Sequence, residues 1–385
     1  MTTEKSNYIH MKKAIYLITV LSTLLFSLKA QDNKPLYFEK APNDMMRFYF
    51  DQNYYLVDKN CEFKYIERVS SFDIKTNKFE GLVRDFDPNG RVILSGQYQN
   101  GKKQGDFKAY HPNGALKWES TFVDDVATGS WKYYYPDGKP MLFITLGPSD
   151  FHINQYWDRK GQQQIKDGEG TYDIDLPIVG FTEHGYTRFN RRGKVKNGLP
   201  EGLWYVSFVE EGKRRIQTHL LTEQYENGQL NGQRFEEGFN HLLIAKEDFV
   251  FTPNDYFPRA EHLLSKKCSF DEFTGFNIFI ANKFVQYLEQ FSFQSNQDIE
   301  TALSYHVKVS KKGIPSSATL LDTENILSKE EKNIFERMIN QIGYYLPSYS
   351  EGEPIADTLI ITFTLQTKGE KTHIAPVQIQ RQKGI

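Results

Sequence analysis

The chain has 385 residues, enough for two or three domains, and a formal net charge of −2 at pH 7. This balance provides no global basic field, which argues against a nucleic-acid-binding protein. Aromatic residues make up 15% of the sequence, and because Tyr and Phe favour pleated, half-buried surfaces, the composition predicts a β-rich fold. The 27 glycines recur at regular positions, unlike those of a disordered chain.

The N-terminus has the features of an export signal. Two lysines precede an almost uncharged apolar run from Ala14 to Leu28, and the small residue Ala30 marks the expected cleavage point. We therefore predict a signal peptide at residues 1–30, with Met11 as an alternative start. The other interpretation is an uncleaved anchor, although the run is shorter than the roughly 20 residues that a spanning helix needs.

Residues 31–75 are predicted to form N-terminal strands. Phe48–Asp73 is rich in aromatic residues and would cap the first edge of the repeat array that follows. This segment contains Cys61, and the only other cysteine is Cys268. Export permits a disulfide between them, but they lie in different predicted domains, so two buried, unpaired thiols are the favoured interpretation.

A 24-residue period is the strongest signal in the sequence. Each copy starts with a glycine, places an apolar or aromatic residue two positions later and an aromatic residue five positions later, and continues into a Pro-Asn-Gly or Pro-Asp-Gly turn. The leading glycines are Gly81, Gly105 and Gly129, and the turn glycines are Gly90, Gly114 and Gly138.

The chemistry of the copies predicts one β-hairpin per repeat. Proline followed by Asn-Gly or Asp-Gly favours a tight turn, and the flanking runs are rich in strand-forming residues. Looser copies follow at Tyr156–Tyr172 and at Asn197–Gly212, where Gly202 leads the copy, and the link Asn-Gly-x-x-x-Gly recurs at junctions. A lone hairpin is marginal in water, so we predict a stacked antiparallel array at residues 76–240, in which these glycines serve backbone geometry.

These repeats resemble MORN repeats, in the bacterial variant often labelled as an antitoxin-type repeat protein. The resemblance covers roughly Phe79–Phe239, tightly in the first three copies. It implies an elongated, twisted antiparallel sheet used for scaffolding or binding. An exported chain would not neutralise a cytoplasmic toxin, so the antitoxin role is not expected here.

The period stops near Asn240. Residues 241–272 contain Pro253 and Pro258, which predicts a linker or packing segment with a candidate helix near Arg259–Ser265. A compact α+β pattern is then expected at residues 273–385.

Within this C-terminal region, helical and strand periods alternate. Ile278–Phe291 has a helical apolar stripe, Tyr305–Asp322 reads as a strand, turn and strand, and Asp357–Gln366 as a final strand. Between them, Ser328 and Glu331 have the spacing of a capping box that opens a second helix.

This order resembles the C-terminal domain of TonB-type energy transducers over about Gly275–Gln366. The most specific part is a motif before the last strand, at Tyr345, Pro347, Gly352 and Pro354. Tyr345 stands where the family usually has Trp. The resemblance implies a small α+β domain whose protein partner pairs with an exposed strand edge.

No catalytic or metal-binding motif stands out, so we predict a non-enzymatic protein without a cofactor. Asp167–Asp175 superficially suggests a calcium loop but lacks the required ligand spacing, which favours a drifted repeat. His111 and His152 stand alone. A carbohydrate-binding or carbohydrate-active protein is kept as an alternative, because paired carboxylates can converge without any sequence spacing.

The aromatic rows have two interpretations, packing or ligand binding. The best candidate for a surface patch is the run of Trp131, Tyr133, Tyr134 and Tyr135, because consecutive strand residues must occupy both faces.

These observations predict an exported interaction or scaffold protein of the periplasm or cell envelope of a Gram-negative bacterium. A protein partner is expected, nucleic acid is not, and membrane association would arise only through a partner or an uncleaved signal segment. The alternative is an energy transducer that retains Ala14–Leu28 as its anchor.

Overall fold

The structure, a computed structural model, describes residues 34–146, 151–178, 186–209, 217–237, 250–253, 255–290, 299–321, 327–351, 353–368 and 371–383. The predicted signal peptide and Gly352 lie outside these residues. None of the helices within these ranges has the length and apolar character to cross a membrane.

Within residues 38–235, the described parts of the chain form one antiparallel sheet of seventeen strands. The strands are β1 (Phe38–Lys40), β2 (Met46–Phe50), β3 (Ile66–Asp73), β4 (Lys78–Phe86), β5 (Val92–Gln99), β6 (Lys102–Lys103), β7 (Gly105–Tyr110), β8 (Leu116–Val123), β9 (Val126–Tyr134), β10 (Pro140–Leu146), β11 (Phe151–Trp157), β12 (Gln163–Lys166), β13 (Glu169–Pro177), β14 (Arg188–Lys196), β15 (Leu199–Val209), β16 (Gln217–Glu226) and β17 (Gln229–Phe235).

Each strand pairs with the next one along the chain, except that β6 and β7 both pair with β5. The predicted β-rich repeat array is therefore confirmed as a continuous meander. The N-terminal strands β1–β3 belong to the same sheet.

Two kinds of turn alternate along the meander. The predicted Pro-Asn-Gly and Pro-Asp-Gly turns close five-residue loops, as at Asp87–Arg91, where the Asp87 N–H donates to Arg91 O at 2.9 Å. The same loop recurs at 158–162, which confirms the drifted copy there. The Asn-Gly links at the repeat junctions are themselves hairpin turns: Asn100 and Gly101 have φ of 56° and 79°, as a type I′ turn requires.

One face of the sheet, which we call the inner face, carries the hydrophobic core. The residue two positions after each leading glycine and those four and eight positions after each turn glycine lie on this side. They include Val83, Leu94, Tyr98, Phe107, Trp118, Phe122, Leu142 and Trp204, all buried. Most residues of the other face, the outer face, are half-buried or exposed, although Asn190 and Ser207 are buried there.

A segment that we call the strap, residues 250–253 and 255–266, crosses the inner face. Its Phe257 and Ala260 are fully buried in the same core cluster as the array. A 3-10 helix occupies Phe257–His262, close to the predicted helix. At its end, the Leu56 N–H donates to Leu264 O at 2.7 Å and the Lys266 N–H donates to Leu56 O at 2.9 Å.

A disulfide joins Cys61 to Cys268, with a Cα–Cα distance of 5.7 Å. The prediction of two unpaired thiols is therefore wrong. The sequence separation of 207 residues gave no indication of proximity, but the strap returns the chain to the first strands of the array. Phe63 and Phe273 stack beside the bond, with ring centroids 4.2 Å apart.

Residues 270–383 form a smaller unit with helices α1 (Phe270–Thr274), α2 (Phe276–Gln290) and α3 (Lys329–Asn340). Its strands are β18 (Ile299–Val309), β19 (Pro315–Leu321), β20 (Ser348–Ser350), β21 (Glu353–Ile355), β22 (Asp357–Lys368), β23 (Lys371–Ile374) and β24 (Gln378–Lys383).

The main sheet of this unit has β18 between β19 and β22, while β23 and β24 share the far edge of β22. Helix α2 packs its Phe284 against Tyr305 and Phe363, with ring centroids 5.8 and 5.0 Å apart. The predicted capping box between Ser328 and Glu331 is present at the start of α3. Strands β23 and β24 were not predicted, because the last strand was expected to end the fold.

Gly193 in β14 provides a test of the packing on the inner face. A Cβ at this position would overlap the ring of Trp204, whereas a Cβ at Gly232 in β17 would lie 3.7 Å from Gln224 Cβ, an ordinary contact. We expect Gly193→Ala to lower the free energy of unfolding by about 1–3 kcal/mol through overpacking.

Gly232→Ala is the matched control, expected to stay within about 0.5 kcal/mol of the wild type. Urea unfolding of both variants measures the difference. Equal stabilities would mean that Trp204 does not rest on Gly193.

Candidate functional site

The inner face and its strap bring together the largest group of buried aromatic and charged side chains in the described residues. Phe257 of the strap contacts Phe107 and Trp118, with both ring centroids 5.5 Å away, and Phe122 at 6.1 Å. It thus covers the aromatic positions of the second repeat, and the strap shields this part of the sheet.

Phe251, six residues earlier, enters a second aromatic cluster. Its ring lies 5.1 Å from Trp204, 5.2 Å from Phe151 and 6.0 Å from Tyr225, measured between centroids. The guanidinium carbon of Arg191 lies 3.7 Å from the centroid of the Phe251 ring. This cation–π contact is close and desolvated, the geometry in which such contacts are strongest.

Charged groups fix the strap beside these rings. Glu261 accepts hydrogen bonds from the Tyr98 hydroxyl and from Lys103 Nζ, both at 2.7 Å. Lys103 is buried to 4% exposure and also pairs with Asp125 at 2.8 Å. Because a buried ammonium needs a compensating charge, Glu261 anchors the helical part of the strap.

Asp255 is held differently. Its carboxylate accepts a hydrogen bond from Trp118 Nε1, and its nearest cation is Lys117 Nζ at 3.9 Å. Burial raises the pKa of the Asp255 carboxyl above its ordinary value, and Lys117 and Trp118 offset this only in part. Burial therefore makes the ionised form of this group less favourable in the folded protein than in water.

A cavity of about 540 Å³ lies beside Phe251. Its polar wall comes from β14, β16 and β17, where Arg191 pairs with Glu223 and donates to the Tyr225 hydroxyl at 2.7 Å. The side chains of Arg191 and Glu223 are only 3% and 5% exposed. Burial raises the pKa of Tyr225 to about 12, so its hydroxyl stays protonated at neutral pH.

A second buried ion pair lies under the start of the array. Arg68 and Asp85 are fully buried and joined by two hydrogen bonds of 2.7 and 2.9 Å, and Tyr54 donates to the same carboxylate at 2.9 Å. The trio ties Tyr54, β3 and β4 together within the core.

All seven glycines that were predicted to serve backbone geometry have positive φ, between 67° and 83°. A Cβ at any of them would meet no atom within 4 Å. Conformation rather than space therefore selects glycine there. They are Gly81, Gly90, Gly105, Gly114, Gly129, Gly138 and Gly202.

The predicted aromatic patch is not formed as one surface. Tyr133 is buried on the inner face, where it bonds to Thr252 of the strap, and Trp131 packs beside it and against Trp118. Tyr134 points to the outer face and meets Phe143. The Tyr135 hydroxyl donates to Trp157 O. Alternation along β9 therefore divides the set between two faces.

The motif residues of the C-terminal unit are packed rather than exposed. Tyr345 is fully buried, and its hydroxyl donates to Ile339 O at 3.1 Å. Its N–H donates to Gly313 O at 2.8 Å. Pro347 is buried before β20, and Pro354 lies in β21 opposite Tyr349.

The charged residues of the inner face were missed from the sequence. One sequence feature could have indicated them. In β16, Leu221, Glu223 and Tyr225 occupy every second position, so all three share one face, and all three are buried. A charge at an inward position predicts a buried partner. The partner itself, Arg191, is 32 residues away and has no local signal.

Among the described residues, no group of three or more His, Cys, Asp or Glu side chains could hold a metal ion. The Asp167–Gly168 pair forms a hairpin turn with φ of 51° and 80°, as expected for a drifted repeat. Glu223 is the one carboxylate among the side chains that line the cavity.

A family model described as a MORN repeat variant matches residues 127–142. This range covers most of β9, the turn at Gly138 and the start of β10, and thus most of the third repeat. No curated protein matches the chain. The match and the strand-rich structure fit a MORN-like repeat protein.

The two carboxylates of the strap should respond to neutralisation with opposite signs. A raised folded-state pKa means that the contribution of Asp255 to stability is largest below the ordinary Asp pKa and is lost as the pH rises through the folded value. Asp255→Asn, always neutral, should therefore raise the free energy of unfolding at pH 7. The gain should shrink as the pH is lowered toward 4.

Glu261→Gln is the matched comparison. It leaves Lys103 with one carboxylate, so we expect a loss of about 1–2 kcal/mol at pH 7. Urea unfolding at several pH values measures both effects. Destabilisation by Asp255→Asn at neutral pH would show that Lys117 and Trp118 hold the ionised form.

Proposed function

We propose that this protein is an exported, non-enzymatic interaction scaffold of the cell envelope. The array and its strap form a rigid body, and the C-terminal unit is a TonB-like domain that binds a protein partner. The Gram-negative periplasm is the proposed location, reached through the signal at residues 1–30.

The observation that carries this proposal is the disulfide between Cys61 and Cys268. Such bonds form and persist in oxidising compartments and are rare in the cytosol. The bond also attaches the root of the C-terminal unit to the first strands of the array. The disulfide therefore supports both the proposed export and a fixed position of the C-terminal unit.

The antiparallel order β19–β18–β22, with α3 between β19 and β22, supports the TonB-like assignment of the C-terminal unit. So does the position of Tyr345 and Pro347 before the last long strand. One edge of β22 is covered by β23 and β24. Among the described residues, β19 pairs only with β18, so its free edge is our proposed docking site for an extended partner segment.

The first test concerns export and maturation. Acid-trapped cells are fractionated, and the chain is alkylated with and without reductant. We expect a periplasmic protein that starts at Gln31 and exposes two thiols only after reduction. A chain that keeps residues 14–28 and partitions with the membrane would instead favour the energy transducer, and a reduced cytoplasmic chain would exclude both.

A second test concerns the edge of β19. Ser317 and Thr319 are exposed on this strand, and lysines there should block pairing with another strand. We expect Ser317→Lys/Thr319→Lys to reduce capture of envelope proteins by at least tenfold in crosslinked pull-downs.

Gln380→Lys/Gln382→Lys, on the opposite edge strand β24, is the matched control and should retain capture. Equal capture by both variants would place the partner site elsewhere on the chain.

A further inference from the structure

The cavity beside Phe251 has the properties of a small-molecule site. We propose that it binds an uncharged amphipathic molecule with an apolar body and a hydrogen-bonding group at one end. Its volume of about 540 Å³ falls within the range of small-molecule sites, which are mostly apolar with a few convergent polar groups.

The apolar side of the cavity comes from three separate parts of the fold. Ile144 and Leu146 end β10, Phe151 begins β11, and Phe251 of the strap closes the space between them and the polar wall. Phe151 and Phe251 are 5.2 Å apart and inclined by 51°. These surfaces offer an aliphatic or aromatic body a non-polar environment.

The polar side is electrically balanced. Arg191 and Glu223 neutralise each other, and both are almost fully buried. A charged ligand would compete with this pair and leave one buried ion without compensation, at a large cost. The balance therefore selects for a neutral ligand.

Glu223 can still accept a hydrogen bond. Its carboxylate receives Arg191, the Tyr225 hydroxyl at 3.2 Å and Gln233 Nε2 at 3.3 Å. A carboxylate has about four acceptor positions, and the last two bonds are long. A hydroxyl or amide N–H of the ligand is thus the group that we expect to face this wall.

Ligand binding here is independent of the proposed partner site, because the cavity lies on the inner face of the array and the partner site on β19. Failure of one proposal leaves the other intact. The site also lies where the strap meets the sheet, so a ligand would contact Phe251 and stabilise the docked strap.

The test uses the full oxidised chain and three matched probes: 4-phenylbutanol, 4-phenylbutyrate and 4-phenylbutylamine. Titration by saturation-transfer difference NMR gives their affinities. We expect the alcohol to bind at least tenfold more tightly than either ion. Equal affinities, or no binding of the alcohol, would overturn the proposal.

Two variants localise the site. Leu230 lines the cavity and is 48% exposed, whereas Leu203 is 51% exposed and is not among the lining residues. Leu230→Trp should reduce binding of the alcohol at least tenfold, and Leu203→Trp should leave it unchanged. An equal effect of both would assign the binding to another surface.

Gln233→Glu tests the polar wall by a change in the order of ligand affinities, which a loss of packing alone would not produce. A second carboxylate beside Glu223 makes the site acidic, so the order of affinities should change and favour the amine over the alcohol. An unchanged order in a folded variant would show that the polar wall does not contact the ligand.

Discussion

The fold depends on covering one face of a long sheet. The seventeen described strands present large aromatic side chains on the inner face, and an apolar face of this size must be shielded from water. The strap does this with two phenylalanines six residues apart, Phe251 and Phe257, each of which enters a separate aromatic cluster. The rest of the chain follows from this contact, because it determines where the C-terminal unit begins.

Polar groups set the position of this cover. Apolar packing alone has little directional preference, whereas Glu261 at Lys103 and Asp255 at Trp118 each define one site along the sheet. The two carboxylates differ in how well their burial is compensated. Glu261 pairs with the buried ammonium of Lys103, whereas Asp255 meets only the neutral Trp118 donor and a more distant lysine. Asp255 therefore fixes the position of the strap at some cost in stability, which is common for buried polar groups.

Local chemistry made the array predictable. Turn glycines, alternating aromatic positions and a fixed period are read from a few neighbouring residues, and they gave the sheet, its hairpins and the capping box at Ser328. The cavity, the strap contacts and the Cys61–Cys268 bond depend on residues far apart in sequence, for which propensity and period carry no information. Alternation predicts that Tyr133 and Tyr134 lie on opposite faces of the sheet. The sequence could not indicate which face the strap covers.

The disulfide has a mechanical consequence. The covalent path from the C-terminal unit to the first strands passes through Cys268 and Cys61 and bypasses the 207-residue separation between them. Tension applied between the C-terminal unit and the N-terminal end of the array is therefore carried by this bond and by β2 and β1, which precede Cys61 in the chain. The fifteen strands of this sheet that follow Cys61 lie off this path, so such a load strains the C-terminal sheet without unzipping the repeats.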